Sequence, residues 1–279
     1  MIDRLIERLA NELRLFLLAL QFFTRIPITG RLADWVGWSE ARMHASARHY
    51  PAVGVLVGAV GAGVLWAAQG LWPAAVAVGL SIAATVWLTG GFHEDGLADT
   101  CDGLGGSVSR ERALTIMKDS RLGSYGALGL IGVLGLKAVT LHALLISGLG
   151  AAVVATLWAH AASRCVPVLL LRALPYAGDV EHAKAKPMAQ QVGAAELLGA
   201  LGWTLGLTLL AGETLIRMGQ TPAPLIGALL GLGLAGLFCL HWFSRRLGGY
   251  TGDTLGASQQ LSELAALLGW LALAAPRHG

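Results

Sequence analysis

The sequence predicts an all-α membrane protein, a polytopic bundle of about seven transmembrane helices preceded by an amphipathic helix at the membrane interface. Three observations predict it. Hydrophobic residues make up 55% of the 279 positions and charged residues 13%, with a mean hydropathy of +0.62, whereas an ordinary soluble domain is about a quarter charged. The apolar residues come in blocks long enough to cross roughly 30 Å of hydrocarbon at 1.5 Å per helical residue. The cations gather in alternate connecting segments, as in a chain threaded back and forth across a bilayer.

At the N-terminus, Asp3, Arg4, Glu7, Arg8, Glu12 and Arg14 occupy the stretch where a cleavable signal needs an uncharged apolar region. Leu5, Leu9, Leu13, Phe16, Leu17 and Leu20 recur at helical spacing, so residues 1–50 read as an interfacial, cytoplasmic segment. The expected spans are Pro51 to Gln69, Pro73 to Phe92, Gly126 to Ser147, Gly150 to Leu171, Gly193 to Ala211, Pro222 to Phe243 and Leu255 to Ala275. Each is bounded by Gly, Pro or charge, and Gln259, Gln260 and Glu263 interrupt the last. Residues 1–279 form a single integral membrane domain on this reading. Gly54 with Gly58, and Gly126, Gly129 and Gly132, are spaced for close helix contact.

The links Gly70 to Trp72 and Gly148 to Leu149 carry no charge. Most cations lie before Pro51 and in the segments His93 to Tyr125, Arg172 to Val192 and Ser244 to Thr254, which the positive-inside rule places in the cytoplasm. Arg217 and Arg277 fall on the opposite side. A net charge of +3 on dispersed Lys and Arg gives no nucleic-acid footprint. Cys101, Cys165 and Cys239 are odd in number and widely spaced, and indicate neither a disulfide framework nor a CxxC zinc site.

The chemistry concentrates in Gly90 to Gly103, GGFHEDGLADTCDG, where five ionisable side chains follow directly on an apolar span. Charge at that depth is costly and normally functional. In a helix, Asp95, Asp99 and Asp102 fall within an arc of about 60° at about 100° per residue. Three such carboxylates repel one another unless a cation neutralises them, and hard oxygen ligands suit Mg²⁺ or Mn²⁺ holding a diphosphate. His93 and Glu94 point off that face, so a direct role and a supporting one stay equally open.

Downstream, Lys118, Asp119, Ser120 and Arg121 precede a new helix, an arrangement suited to phosphate binding. Arg164 and Lys137 lie inside apolar spans; Arg164 either snorkels or turns inward to a phosphate or carboxylate. His142 and His160 read as packing residues and stay outside the expected site. A second glycine-rich acidic segment, Gly248 to Gly256, carries Thr251, Asp253 and Thr254 at a helix start, where Asp253 caps the helix or completes the site.

Three motifs carry a resemblance: TGGFHEDGLADTCDG (Thr89 to Gly103), IMKDSRLGSYG (Ile116 to Gly126) and GGYTGDTLGA (Gly248 to Ala257). With FFTRIP (Phe22 to Pro27) and YPAVG (Tyr50 to Gly54), the chain resembles the cobalamin synthase family, the adenosylcobinamide-GDP ribazoletransferases. Two positions depart from the expected pattern: Glu94 stands in place of an apolar residue and Gln260 in place of Glu.

The resemblance implies a multi-pass enzyme of the bacterial inner membrane with its site facing the cytoplasm. Such an enzyme joins adenosylcobinamide-GDP to α-ribazole or its 5′-phosphate, with Mg²⁺ and release of GMP. It puts Asp95, Asp99 and Asp102 on metal; His93, Lys118, Ser120, Arg121, Arg164, Thr251 and Thr254 on substrate and phosphate; and the general base at Asp95, Asp119 or Asp253. A homo-oligomer, or association with other cobalamin-assembly enzymes, stays open.

Rival readings fit less well. A CDP-alcohol phosphotransferase needs Arg after the Ala of its core motif, where Asp99 follows Ala98. A prenyltransferase needs two aspartate clusters. An ion-coupled transporter needs inverted repeats with broken helices in both halves.

Overall fold

Backbone groups in hydrocarbon must satisfy one another, and helices do so locally. The computed structural model describes residues 2–106, 109–178 and 192–274. Among these, the secondary structure is helical apart from one isolated bridge between Tyr176 and Tyr250. In order the helices are α1 (Ile2–Phe23), α2 (Gly30–Val36), α3 (Glu40–Ser46), α4 (Tyr50–Ala68), α5 (Ala74–Thr89), α6 (Phe92–Gly106) and α7 (Arg110–Met117). They continue with α8 (Ser124–Ser147), α9 (Leu149–Ser163), α10 (Cys165–Ala173), α11 (Ala194–Arg217), α12 (Ala223–Leu247) and α13 (Gly252–Leu273). The cations of the Arg172 to Val192 segment beyond Gly178, and Arg277, lie outside the described residues.

Among the described residues, five stretches are long and apolar enough to span: Glu40–Ala68, Ser124–Ser147, Leu149–Ala173, Ala194–Arg217 and Ala223–Leu247; counting the bent α5–α6 pair as one span gives six. The expected seventh, α13, does form a helix, but Ser258, Gln259, Gln260, Ser262 and Glu263 lower its hydropathy, and all five are buried. A helix enclosed by other helices can satisfy polar groups against them instead of lipid. Outward residues of α8, α11 and α12, such as Ile131, Leu205, Leu209 and Leu234, stay 62–70% exposed, which lipid tails accommodate without a protein partner. In α1, Leu15, Leu18, Ala19, Leu20 and Phe23 are buried, while Ile2, Leu5, Ile6, Leu9 and Leu13 are exposed.

The α13 helix lies at the centre, packed on α6, α8, α9, α10 and α12. Glycine permits these approaches: a Cβ on Gly227 would lie 2.0 Å from the Gly269 carbonyl oxygen, and one on Gly231 2.1 Å from that of Ala265. Gly54 and Gly58 bring α4 against α9, where an added Cβ would lie 2.4 Å from the His160 carbonyl oxygen and 2.9 Å from the Leu157 backbone, respectively. Gly126 and Gly129 close α8 onto α6, whereas Gly132 meets nothing within 4 Å.

The expected Pro73 to Phe92 span ends at Thr89. Gly90 and Gly91 take φ of 70° and 73°, a left-handed backbone that side-chain-bearing residues avoid, and α6 leaves at 90° to α5. Arg110 fastens the same end of the bundle: Nε donates to the Leu247 carbonyl at 2.7 Å and Nη2 to that of Ala177 at 2.8 Å.

Gly227→Leu should therefore force α12 and α13 apart and lower stability by about 1–3 kcal/mol. Gly132→Leu should leave the thermal midpoint unchanged. Thermal unfolding of the two purified variants in detergent checks both.

Candidate functional site

The α6 helix carries the acidic motif, but its carboxylates have different fates. Asp95 is exposed, Asp99 one turn on is half-buried, and Asp102 is buried. Asp102 turns to the start of α8, where one carboxylate oxygen accepts from the Gly123 N–H and the other from the Gly126 N–H, both at 2.7 Å. Two charge-assisted hydrogen bonds at a helix N-terminus make an effective cap. Among the described residues no three His, Cys, Asp or Glu side chains are grouped as a metal ligand set. The pair Asp95 and Asp99 still offers two carboxylates one turn apart, and Mg²⁺ commonly binds through one or two carboxylates with phosphate oxygens and water completing its shell.

The start of α13 crosses α6 at Gly96, where an added Cβ would sit 2.8 Å from the Asp253 carbonyl oxygen and 3.1 Å from its Cα. This crossing sets the second acidic motif beside Asp95 and Asp99. Thr251 and Thr254 form a reciprocal capping box there: the Thr254 N–H donates to Thr251 Oγ1 at 3.2 Å and the Thr251 N–H to Thr254 Oγ1 at 2.8 Å.

Behind the crossing lies a cavity of about 10 Å³ lined by Phe23, Tyr50, His93, Arg164, Gly252 and Gly256, among others, roughly the room for one water. His93 stacks on Phe23 with ring centroids 5.6 Å apart. Arg164 is 3% exposed and sits in the break between α9 and α10. Its Nη1 donates to the His160 carbonyl at 2.6 Å, while its Nε is buried without a partner. A buried guanidinium with an unused donor is suited to an anion.

The segment expected to bind phosphate lies elsewhere. Lys118, Ser120 and Arg121 are exposed in the turn before α8, joined to α6 through the Asp102 cap. Arg121 holds Asp119 through its guanidinium and backbone N–H, and these hydrogen bonds lower the Asp119 carboxyl to about 2.

Sequence reasoning missed a buried polar cluster joining α6, α8, α9 and α13. Lys137 Nζ lies 2.8 Å from Glu263 Oε1 and donates to Gln260 Oε1 at 2.9 Å. His160 Nδ1 lies 3.0 Å from Glu263 Oε2, to which Gln259 donates at 2.6 Å. Gln260 Nε2 donates to Glu94 Oε1 at 2.9 Å, so the two positions that depart from the expected pattern touch each other. His160 is thus an ion-pair neighbour as well as a buried residue. The available signal was the set of lone ionisable residues in apolar spans, each with a cost that an opposite charge relieves.

Helices long and apolar enough to cross a bilayer define a polytopic membrane protein, and its family makes that protein a transferase. More narrowly, the chain belongs to the cobalamin-5-phosphate synthase family, whose profile matches residues 15–271. An adenosylcobinamide-GDP ribazoletransferase of Leptothrix cholodnii is 66% identical over 95% of this chain and 97% of its own. Proteins of that name from Polaromonas naphthalenivorans and Shewanella amazonensis are 47% and 43% identical, each over 92% of this chain and over 97% and 95% of their own. No solved structure matches the chain.

The differing environments of the three aspartates separate their expected effects. Asp102→Ala should lower thermal stability by about 1–3 kcal/mol whether or not Mg²⁺ is present, since it orphans two N–H groups. Asp95→Asn and Asp99→Asn should leave the midpoint in place and raise the Mg²⁺ concentration needed for activity; paired melting curves and Mg²⁺ titrations check this.

Proposed function

We propose that the chain transfers α-ribazole, or its 5′-phosphate, onto adenosylcobinamide-GDP with release of GMP, at the cytoplasmic face of a bacterial inner membrane. The observation that carries the reading is the crossing at Gly96, which brings the α6 carboxylates and the Asp253 segment together in front of buried Arg164. Family membership and the relatives' names supply the substrates.

In the reaction, a ribazole hydroxyl oxygen forms a bond to the phosphorus attached to cobinamide, the bond from that phosphorus to the GMP oxygen breaks, and the hydroxyl proton passes to a carboxylate. Asp95 and Asp99 would hold Mg²⁺, or Mn²⁺, which when bound neutralises diphosphate charge. Arg164 offers a buried donor to the same charge as it builds up in the transition state. Arg121 meets phosphate with the guanidinium N–H groups that Asp119 does not occupy, with Lys118 and Ser120 beside it. Of the candidate bases, Asp119 is held at about 2 by Arg121 and takes up a proton poorly at neutral pH. Asp95 is committed to metal, which leaves Asp253 for the proton. His93, Thr251 and Thr254 shape the wall behind the reacting groups.

Purified protein given adenosylcobinamide-GDP, α-ribazole 5′-phosphate and Mg²⁺ should release GMP in step with the joined product; absence of both would refute the reading. Arg164→Lys should lose transfer by tenfold or more, on the order of 1.4 kcal/mol, because an ammonium cannot reproduce the planar fork. A cysteine introduced at exposed Glu111 should react with an impermeant thiol reagent only from the cytoplasmic side.

A further inference from the structure

The buried cluster balances its charges. Buried Lys137 and Arg164 bring two positive charges; buried Glu263 and half-buried Glu94 bring two negative ones. Lys137 is paired with Glu263 at 2.8 Å, and Arg164 lies within the electrostatic reach of both Glu263 and Glu94. Removing any one of the four leaves an uncompensated charge in low dielectric, the costly outcome for a buried ionic group.

Glu94 joins the cluster through Gln260, which lies between opposite charges: its carbonyl oxygen accepts from Lys137 and its amide nitrogen donates to Glu94, both at 2.9 Å. Glu94 precedes Asp95 on α6, and successive helical residues point about 100° apart. Holding Glu94 against α13 therefore sets the roll of α6, with Asp95 turned outward.

We propose that Glu94 is a positioning residue, which neutralises the buried cations and, through Gln260, fixes the rotation of α6 that presents Asp95 and Asp99 to substrate. The inference rests on the reading of Asp95 and Asp99 as the substrate-facing pair. It also specifies where the charge can go: position 260 already contacts Lys137, so a carboxylate there balances the cluster equally well, provided residue 94 becomes the amide.

The test compares Glu94→Gln, Gln260→Glu and the double exchange Glu94→Gln/Gln260→Glu in the purified full-length protein. The readouts are kcat, KM and Mg²⁺ dependence per folded molecule. Each single change unbalances the cluster by one charge and should lower kcat by about tenfold or more; the double exchange should return it to within about threefold of the parent. Wild-type kcat in Glu94→Gln, or a double variant no better than the worse single, overturns the proposal. If a single variant fails to accumulate in folded form, the double must recover both folded protein and activity, and its failure to do so counts against the proposal. Asp95→Asn and Asp99→Asn are run alongside. Loss of activity in these with a silent exchange pair rejects only the positioning role, whereas full activity in both removes the site reading on which it stands.

Discussion

The structure depends on the meeting of Lys137 and Glu263 inside the bundle. An ammonium on α8 and a carboxylate on α13, 4% and 1% exposed at their side chains, are each prohibitive alone in hydrocarbon and tolerable together. Their pairing dictates that α13 runs through the centre, and that in turn dictates the glycines. A helix surrounded by α6, α8, α9, α10 and α12 needs backbone-distance contacts, which Gly227, Gly231 and Gly256 allow. With α13 fixed, its N-terminal turn crosses α6 at Gly96, and the site follows from that crossing.

The local chemistry of the site shows two uses of one residue type. Asp102 spends its charge on two backbone N–H groups and binds α6 to α8, while Asp95, two turns earlier, faces outward on the same helix. Helical spacing puts them on a common stripe, but the stripe runs along a helix whose far end meets another helix start. Tertiary surroundings thus sort like residues into different roles. The Gly90–Gly91 turn has a comparable double effect, ending α5 and aiming α6 across the end of the bundle.

Most of the architecture was legible because lipid solvation leaves a strong trace: apolar blocks, breakers at their ends and cations in alternate loops. The least legible span was α13, whose polar residues satisfy other helices and so mimic a poor span. In the site, the motifs around Asp95 and Asp253 were legible as dense charge next to glycine. The Lys137, His160, Gln260 and Glu263 cluster was not, since each residue stands alone in sequence and their convergence is a property of three dimensions. The Asp102 cap was hidden for the same reason, its partners lying 21 and 24 residues away.

The central position of α13 has a consequence for biosynthesis. This helix emerges from the ribosome after α6, α8, α9 and α12, yet it supplies the carboxylate that faces Lys137. Until it arrives, α8 carries a lone ammonium in the bilayer, and α13 itself, with two glutamines and a glutamate within five residues, partitions poorly from water into lipid. Its insertion is therefore a cooperative act, drawn by polar groups on helices already in place. The earlier helices must hold a vacancy lined by Lys137 and His160, and the nascent bundle is a receptor for its own central strut.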